Sequence, residues 1–161
     1  HSMHPHRQEP ALQLGRLLLS LQRPEQGCRI LESVLDMHPQ SGVVCRLLGD
    51  GYLQQARPDM ALKMYSAAVK HNPEDAQALS ALGALMHSSG ENLEVAAVFC
   101  EQSVQLNPDK GLFHERLAGV YRDQGRYSQA LQALHRAAEL GRETSAMIDE
   151  LARLNRPQHS V

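Results

Sequence analysis

Cysteines are the side chains of this 161-residue sequence with the clearest capacity for nucleophilic or metal chemistry, and they stand at Cys28, Cys45 and Cys100. A catalytic thiol needs a base held beside it, and a structural zinc site needs closely spaced ligand pairs such as Cys-x-x-Cys. The three cysteines show neither arrangement. We expect Cys45 and Cys100 to be buried structural thiols and Cys28 to be partly exposed. An odd number of free thiols indicates a reducing, cytoplasmic compartment.

Other groups that could perform chemistry are equally dispersed. His38 and His71 each stand shortly before a proline, but no further ligand follows either of them at helical spacing. Carboxylates are plentiful, yet none forms a pair whose position predicts burial and a perturbed pKa. The glycines form no phosphate-binding loop. We therefore expect no catalytic residue, no metal, no cofactor and no enzyme activity.

The composition favours helices and gives no electrostatic reason for a nucleic-acid partner. Hydrophobic residues make up 42% of the chain and aromatic residues 4%, and the formal net charge is −2. The segment between Lys70 and Lys110 contains acidic residues but neither Lys nor Arg, which disfavours contact with phosphates. No apolar run approaches the roughly 18 residues of a membrane span. We expect neither nucleic-acid binding nor membrane insertion.

The elements that position these side chains form an internal repeat. Pro39, Pro73 and Pro108 recur at a nearly constant interval of about 34 residues. Aligned on that period, a leucine followed by a very small residue recurs in every copy. The copies are Leu14-Gly15, Leu48-Gly49, Leu82-Gly83 and Leu117-Ala118. A repeat of this length predicts stacked units, none of which can bury its apolar face alone.

Each unit is predicted to contain two helices. The small residue of the first helix lets the second helix approach closely, because a bulky side chain there would overpack the contact. The break between the helices contains Pro24 or Pro58 in the first two units, at positions suited to the first turn of the second helix. In the last two units the break contains Gly90 or Gly125, which suit a helix end that requires a positive φ.

These columns resemble the tetratricopeptide repeat, which has Leu-Gly, Tyr, Ala and Pro at fixed positions of a 34-residue period. The best-matching segments are "GDGYLQQARPDMALKMYSAAVKHNP" and "LAGVYRDQGRYSQALQALHRAAELG". The sequence departs from the family at its Trp column and at Arg142, where a proline is expected. The resemblance implies an all-α fold, namely a right-handed α-solenoid of antiparallel helix pairs that wind into a superhelix.

The expected repeat domain covers residues 8–155. Its repeats and its C-terminal capping helix are expected at about 8–41, 42–75, 76–110, 111–142 and 144–155. Thr144 or Ser145 can cap the last helix, whose polar side would close the array. Residues 1–7 are interpreted as a disordered tail or cloning remnant, and residues 156–161 as a loose tail.

The resemblance also implies a binding surface. In tetratricopeptide arrays the first helices line a concave groove that holds peptides or helices of partner proteins. The register places the following residues at inner positions: Leu12, Arg16, Arg46, Asp50, Leu53, Gln77, Ser80, Ala84, His87, Glu115 and Arg122. Arg and His side chains there offer hydrogen-bond donors to carboxylates or carbonyls. Simpler structural roles stay open, since Arg46 and Asp50 can pair at i, i+4 and Leu12 and Leu53 can pack against neighbouring units.

One subclass of the family holds the C-terminal carboxylate of heat-shock chaperones in a clamp of Lys, Asn and Arg side chains. The matching positions here are Leu12, Arg16, Leu47, Gln77 and Ala81. The uncharged residues among them do not fit the clamp, and Arg16 stands where the clamp has Asn. We therefore expect no clamp-type binding of chaperone tails.

Together these features predict a non-catalytic protein–protein interaction scaffold that binds a partner peptide or helix in the groove, as part of a larger protein or complex. Three alternatives stay open, because one scaffold serves many partners. The first is a self-assembly module that forms homo-oligomers. The second is an accessory segment that positions substrate for an enzyme. The third is an assembly factor of a secretion or envelope system.

Overall fold

The computed structural model describes residues 8–157, and every regular element in that range is an α-helix. The helices are α1 (Gln8–Ser20), α2 (Pro24–Met37), α3 (Gly42–Gln54), α4 (Pro58–His71), α5 (Ala76–Ser89), α6 (Leu93–Leu106), α7 (Gly111–Asp123), α8 (Tyr127–Glu139) and α9 (Ser145–Leu154). The described chain is therefore an all-α solenoid of the expected kind. The predicted tail at residues 1–7 and the end of the second one, at 158–161, lie outside the described residues.

The helices belong to two compact units. The first unit runs through Ala78, and in it α1 packs on α2, α2 on α3 and α3 on α4. The second unit starts at Leu79, within α5, and in it α6 packs on α7, α7 on α8 and α8 on α9. In both units, therefore, the second helix of one repeat covers the first helix of the next repeat.

The small residue of each first helix is a packing contact, as predicted. A Cβ atom added to Gly49 would lie 2.6 Å from Cε1 of Tyr65, and one added to Gly83 would lie 2.6 Å from Sγ of Cys100. A Cβ on Gly15 would lie 2.7 Å from the Leu31 side chain. Real Cβ atoms do not approach other heavy atoms so closely, so the second helix can reach this depth only because the side chain is missing.

The breaks between helices follow the predicted chemistry in part. Pro24 and Pro58 occupy the first turn of α2 and α4. Gly90 and Gly125 have φ of +72° and +74°, as the sequence indicated. The first two breaks adopt the same left-handed backbone without glycine, because Gln22 and Ala56 have φ of 58° and 56°. Side chains with a Cβ are disfavoured in this conformation.

All three cysteines are buried free thiols. The expectation that Cys28 is partly exposed was wrong, because its side chain points from α2 toward Gly51 of α3 and only 3% of the residue is exposed. Burial raises the pKa of the Cys28 and Cys45 thiols, and it raises the pKa of Cys100 to about 12. Thiols in this state are poor nucleophiles.

Helix α9 covers Ser145–Leu154, within the range 144–155 in which the sequence predicts a capping helix. Leu151 anchors it in the buried cluster that also contains Leu134 of α8. Thr144 precedes the helix but does not cap it, since its hydroxyl donates to the Leu134 carbonyl at 3.3 Å. No helix within residues 8–157 is long and apolar enough to cross a membrane.

Candidate partner-binding surface

The inner positions of the first unit lie on α1 and α3 and at the start of α5. Arg16, Leu53 and Gln77 are exposed there. Leu12 is half-buried and lines a cavity of about 490 Å³ beside Met37, His38 and Val44. At these positions the side chains of the first helices are wholly or partly exposed to solvent.

Arg46 has a structural partner that its local sequence does not indicate. Its Nε donates to Oδ2 of Asp75 at 3.0 Å, and the two side chains are only 16% and 11% exposed. The other oxygen of Asp75 accepts from the Ala78 N–H at 3.0 Å, which caps the first turn of α5. Arg46 therefore ties α3 to the loop before α5.

Asp50 is also engaged inside the first unit. It accepts a hydrogen bond from the Tyr65 hydroxyl of α4 at 2.5 Å. Because Tyr65 is the ring that packs over Gly49, this bond and the glycine contact hold the same aromatic side chain. A pairing of residues 15 positions apart follows from the fold and not from the i, i+4 rule that the sequence suggested.

Ser80 is the predicted groove residue that differs most from expectation. The register places it on the open side of α5, but it is fully buried, and its hydroxyl accepts from Nη1 of Arg116 at 3.0 Å. The long Arg116 side chain extends from α7 across this position and excludes solvent. The sequence gives no local signal for that contact, since the two residues are 36 positions apart.

A polar cluster joins α5 to α7 in the second unit. Nε2 of His87 lies 2.5 Å from Oδ2 of Asp123, and Nε of Arg122 donates to the other oxygen of Asp123 at 3.2 Å. The hydrogen bond with His87, followed by that with Arg122, lowers the pKa of Asp123. We call His87, Arg122 and Asp123 the polar triplet.

Gly119 provides the floor beside the polar triplet. A Cβ at this position would lie 3.1 Å from Cε1 of the His87 ring and would meet no other side chain closely. Ala84, one turn before His87, is half-buried. The small residues Ala84 and Gly119 thus lie next to three side chains that can donate or accept hydrogen bonds.

Glu115 of α7 and helix α9 lie at the edge of this surface. Nε of Arg142 donates to Oε2 of Glu115 at 2.6 Å, so the residue that replaces the expected proline orients a groove carboxylate. Next to it lies a narrow cleft between α7 and α9, lined by Gly119, Arg122 and Met147 among others. Arg142 as an ion-pair partner was not indicated by the sequence.

Two matching tyrosine contacts lie elsewhere and serve stability. The Tyr52 hydroxyl donates to Glu32 at 2.5 Å, and the Tyr121 hydroxyl donates to Glu101 at 2.6 Å. Burial, followed by these hydrogen bonds, raises the pKa of both tyrosines to about 12. An arginine guanidinium, that of Arg126, lies 4.3 Å from the centre of the Tyr121 ring.

Metal chemistry has no candidate centre in the described range. No group of three or more His, Cys, Asp or Glu side chains converges as a set of ligands within residues 8–157. The absence of a metal and of a cofactor stays a prediction from the sequence.

Family models of the tetratricopeptide repeat match residues 26–85 and residues 114–145. The chain belongs to the tetratricopeptide repeat family. The structure resembles that of MamA, with a TM-score of 0.73, 21% identity and coverage of 89% of this chain and 83% of the other. It also resembles a protein characterised as pilF of Pseudomonas aeruginosa, with a TM-score of 0.78, 22% identity and coverage of 91% and 67%. At these identities the tetratricopeptide fold is what the chains share.

Two curated relatives carry the description protein O-mannosyl-transferase TMTC1. The human protein is 31% identical over 96 residues, which cover 57% of this chain and 11% of that protein. The mouse protein is 25% identical over 161 residues, which cover 96% of this chain and 17% of that protein. The tetratricopeptide chain thus spans between about a tenth and a sixth of the length of these relatives.

Proposed function

We propose that this tetratricopeptide chain binds a peptide segment of a partner protein on the α5–α7 face of its second unit. The family fold supports a protein–protein interaction scaffold in general. The observation that carries the finer proposal is the polar triplet beside Gly119, where the narrow cleft lined by Gly119 and Arg122 adjoins oriented hydrogen-bonding groups. Pre-formed polar groups lower the ordering cost of binding.

The charges of this face indicate what the peptide presents. Asp123 holds Arg122 through Nε, which leaves the guanidinium oriented at the surface, with the side chain 39% exposed. A guanidinium in a fixed direction is suited to a carboxylate or to peptide carbonyls. We therefore expect a peptide with an acidic side chain opposite Arg122 and a backbone that passes over Gly119, where a side chain on the floor would block it.

Charge reversal of Arg122 tests the proposal. Arg136 of α8 is a matched control, because its side chain is 44% exposed and it also pairs with carboxylates. Partners captured by the wild type and by Arg136→Glu, but lost from Arg122→Glu, would be identified by mass spectrometry and their segments titrated by calorimetry. We expect at least a tenfold loss of affinity, about 1.4 kcal/mol, for Arg122→Glu alone. Equal capture by all three proteins contradicts binding at this face.

A second candidate role rests on the match to the O-mannosyl-transferase relatives. There the chain would act as an accessory segment that holds the acceptor polypeptide, whose Ser and Thr hydroxyls receive the sugar. Peptides rich in Ser and Thr would then bind more tightly than the same peptides with Ala at those positions. Equal affinities in calorimetry would remove this candidate.

The three buried free thiols support our proposal that the chain works in a reducing compartment. Homo-oligomer formation stays a separate proposal, and light scattering over a range of protein concentrations measures it directly. A mass that does not change with concentration would contradict it.

A further inference from the structure

Helix α1 presents exposed leucines along one side. Leu14 and Leu17 in the helix, and Leu21 directly after it, are 45%, 53% and 55% exposed. Their spacing of three and four residues places them on one stripe, which we call the leucine stripe. Helix α2 packs against a different side of α1, where Leu31 meets Gly15. The outer face of a terminal repeat is normally polar. The leucine stripe is apolar instead, which indicates that another element packs on it.

The repeat register shows what covers the same positions in α3. The counterparts of the leucine stripe there, one repeat further along the chain, are Leu48, Gly51 and Gln55. Leu48 is buried, and a Cβ on Gly51 would collide with Sγ of Cys28 in α2. The Gln55 side chain lies beside the same thiol. In α3 these positions therefore lie beneath the second helix of the preceding repeat.

Helix α7 repeats the arrangement in the second unit. The counterparts Leu117 and Val120 belong to one buried cluster with Ala97 and Cys100 of α6. The third counterpart, Gln124, donates through Nε2 to the carbonyl of Leu93 at the start of α6, at 3.4 Å. In both α3 and α7, therefore, the face equivalent to the leucine stripe packs against the second helix of the preceding repeat.

The sequence before α1 repeats a tripeptide that stands one repeat later in the chain. Met3-His4-Pro5 is the same tripeptide as Met37-His38-Pro39, which stands one repeat later. The later copy contains the last residue of α2 and leads into α3. By sequence register, the earlier copy corresponds to the corner between a second helix and the next first helix, here α1.

We propose that the leucine stripe docks the second helix of a further tetratricopeptide unit, joined in the same polypeptide through Met3-His4-Pro5. The docked helix is amphipathic, because only its inner side meets the stripe. It has a small apolar residue opposite Leu17, since α2 and α6 present Cys28 and Ala97 at the equivalent position. A larger side chain there would overpack against leucine.

An extended chain tests the docking. The sequence of α6, with Ala97 opposite Leu17 by register, is placed directly before His4 in place of residues 1–3. We expect amide hydrogen exchange in α1 to slow about tenfold or more, and the midpoint of thermal unfolding to rise by about 5 °C or more. A matched extension with Glu at the counterparts of Ala97, Cys100 and Val104 is expected to leave both values unchanged.

Leu17→Glu separates docking from a general effect of the added helix. In the unextended chain the substitution is at an exposed site and is expected to change the thermal midpoint by less than about 2 °C. In the extended chain it is expected to remove the gain. Equal gains from the apolar and the Glu-bearing extensions would overturn the proposal. A dimer of the unextended chain that Leu17→Glu dissociates would also overturn the proposal. In that case a second copy of the chain would cover the leucine stripe.

Discussion

Replacing Gly49 by alanine tests the close approach of α3 and α4. The new Cβ would lie 2.6 to 2.9 Å from three atoms of the Tyr65 ring. That ring cannot turn away freely, because Tyr65 is 1% exposed and its hydroxyl donates to Asp50 at 2.5 Å. Overpacking costs about 1–3 kcal/mol, and a displaced hydroxyl adds about 1 kcal/mol. Alanine has a higher helix propensity than glycine, which offsets about 1 kcal/mol of this loss in the free energy of unfolding.

The balance is a net loss of about 1–3 kcal/mol in the free energy of unfolding. Urea unfolding followed by circular dichroism measures it from the shift of the midpoint at constant slope. Gly119→Ala is the control, because Gly119 is also inside a helix and its Cβ would approach only the His87 ring. This control is expected to be neutral or stabilising.

A second substitution identifies the ring as the cause. The fourth repeat pairs Ala118 with Leu134 where the second repeat pairs Gly49 with Tyr65. Gly49→Ala combined with Tyr65→Leu recreates that pair, so we expect the double variant to lose about 1 kcal/mol less than the two single losses added together. Additive losses, or a Gly49→Ala protein as stable as wild type, would refute the packing argument.

Three further predictions concern other contacts. Ala56→Gly is expected to raise the free energy of unfolding by about 0.5–1 kcal/mol, since it relieves a left-handed backbone, and a lower urea midpoint would contradict it. Arg46→Ala is expected to cost about 1–3 kcal/mol in the same assay, because it leaves Asp75 partly buried without its partner. Asp123 has a lowered pKa in the folded chain. Its contribution to the free energy of unfolding is therefore complete above the pKa of the unfolded chain, and it is lost as the pH falls through the pKa of the folded chain. Because Asp123 is 43% exposed, we expect less than about 1 kcal/mol, measured as the difference between wild type and Asp123→Asn at neutral and at acidic pH.

The local rules of helix pairs made most of the fold predictable. Proline at the first turn of α2, glycine at the end of α5 and leucine beside a small residue each have one dominant structural meaning. Those meanings recur in phase, which made the succession of helix pairs predictable. The unusual backbone at Gln22 was not predictable, because neighbouring helices impose it against the preference of the residue.

The side-chain contacts of the candidate site were not predictable from the register. The register predicts His87 and Arg122 at inner positions of two first helices, and in the structure both side chains contact Asp123. It could not show that Arg116 donates to Ser80, or that Arg46 donates to Asp75, because these pairs are separated by 36 and 29 residues. The partner of a long, flexible side chain depends on which residues the folded chain brings within its reach.

The tyrosine contacts mark a longer period in the chain. Glu32, Tyr52 and Arg57 have the same spacings as Glu101, Tyr121 and Arg126, and the second set stands two repeats after the first. In both sets the tyrosine bonds the glutamate and the arginine lies over its ring. The intermediate positions hold Ser66, Met86 and Asn92 instead.

Because the two sets are separated by two repeats, the tyrosine contacts recur in every second repeat. Copying a segment of two repeats produces this alternation directly, whereas copying one repeat at a time would place the same contact at every step. Four helices are thus the shortest segment over which this contact pattern recurs in the chain.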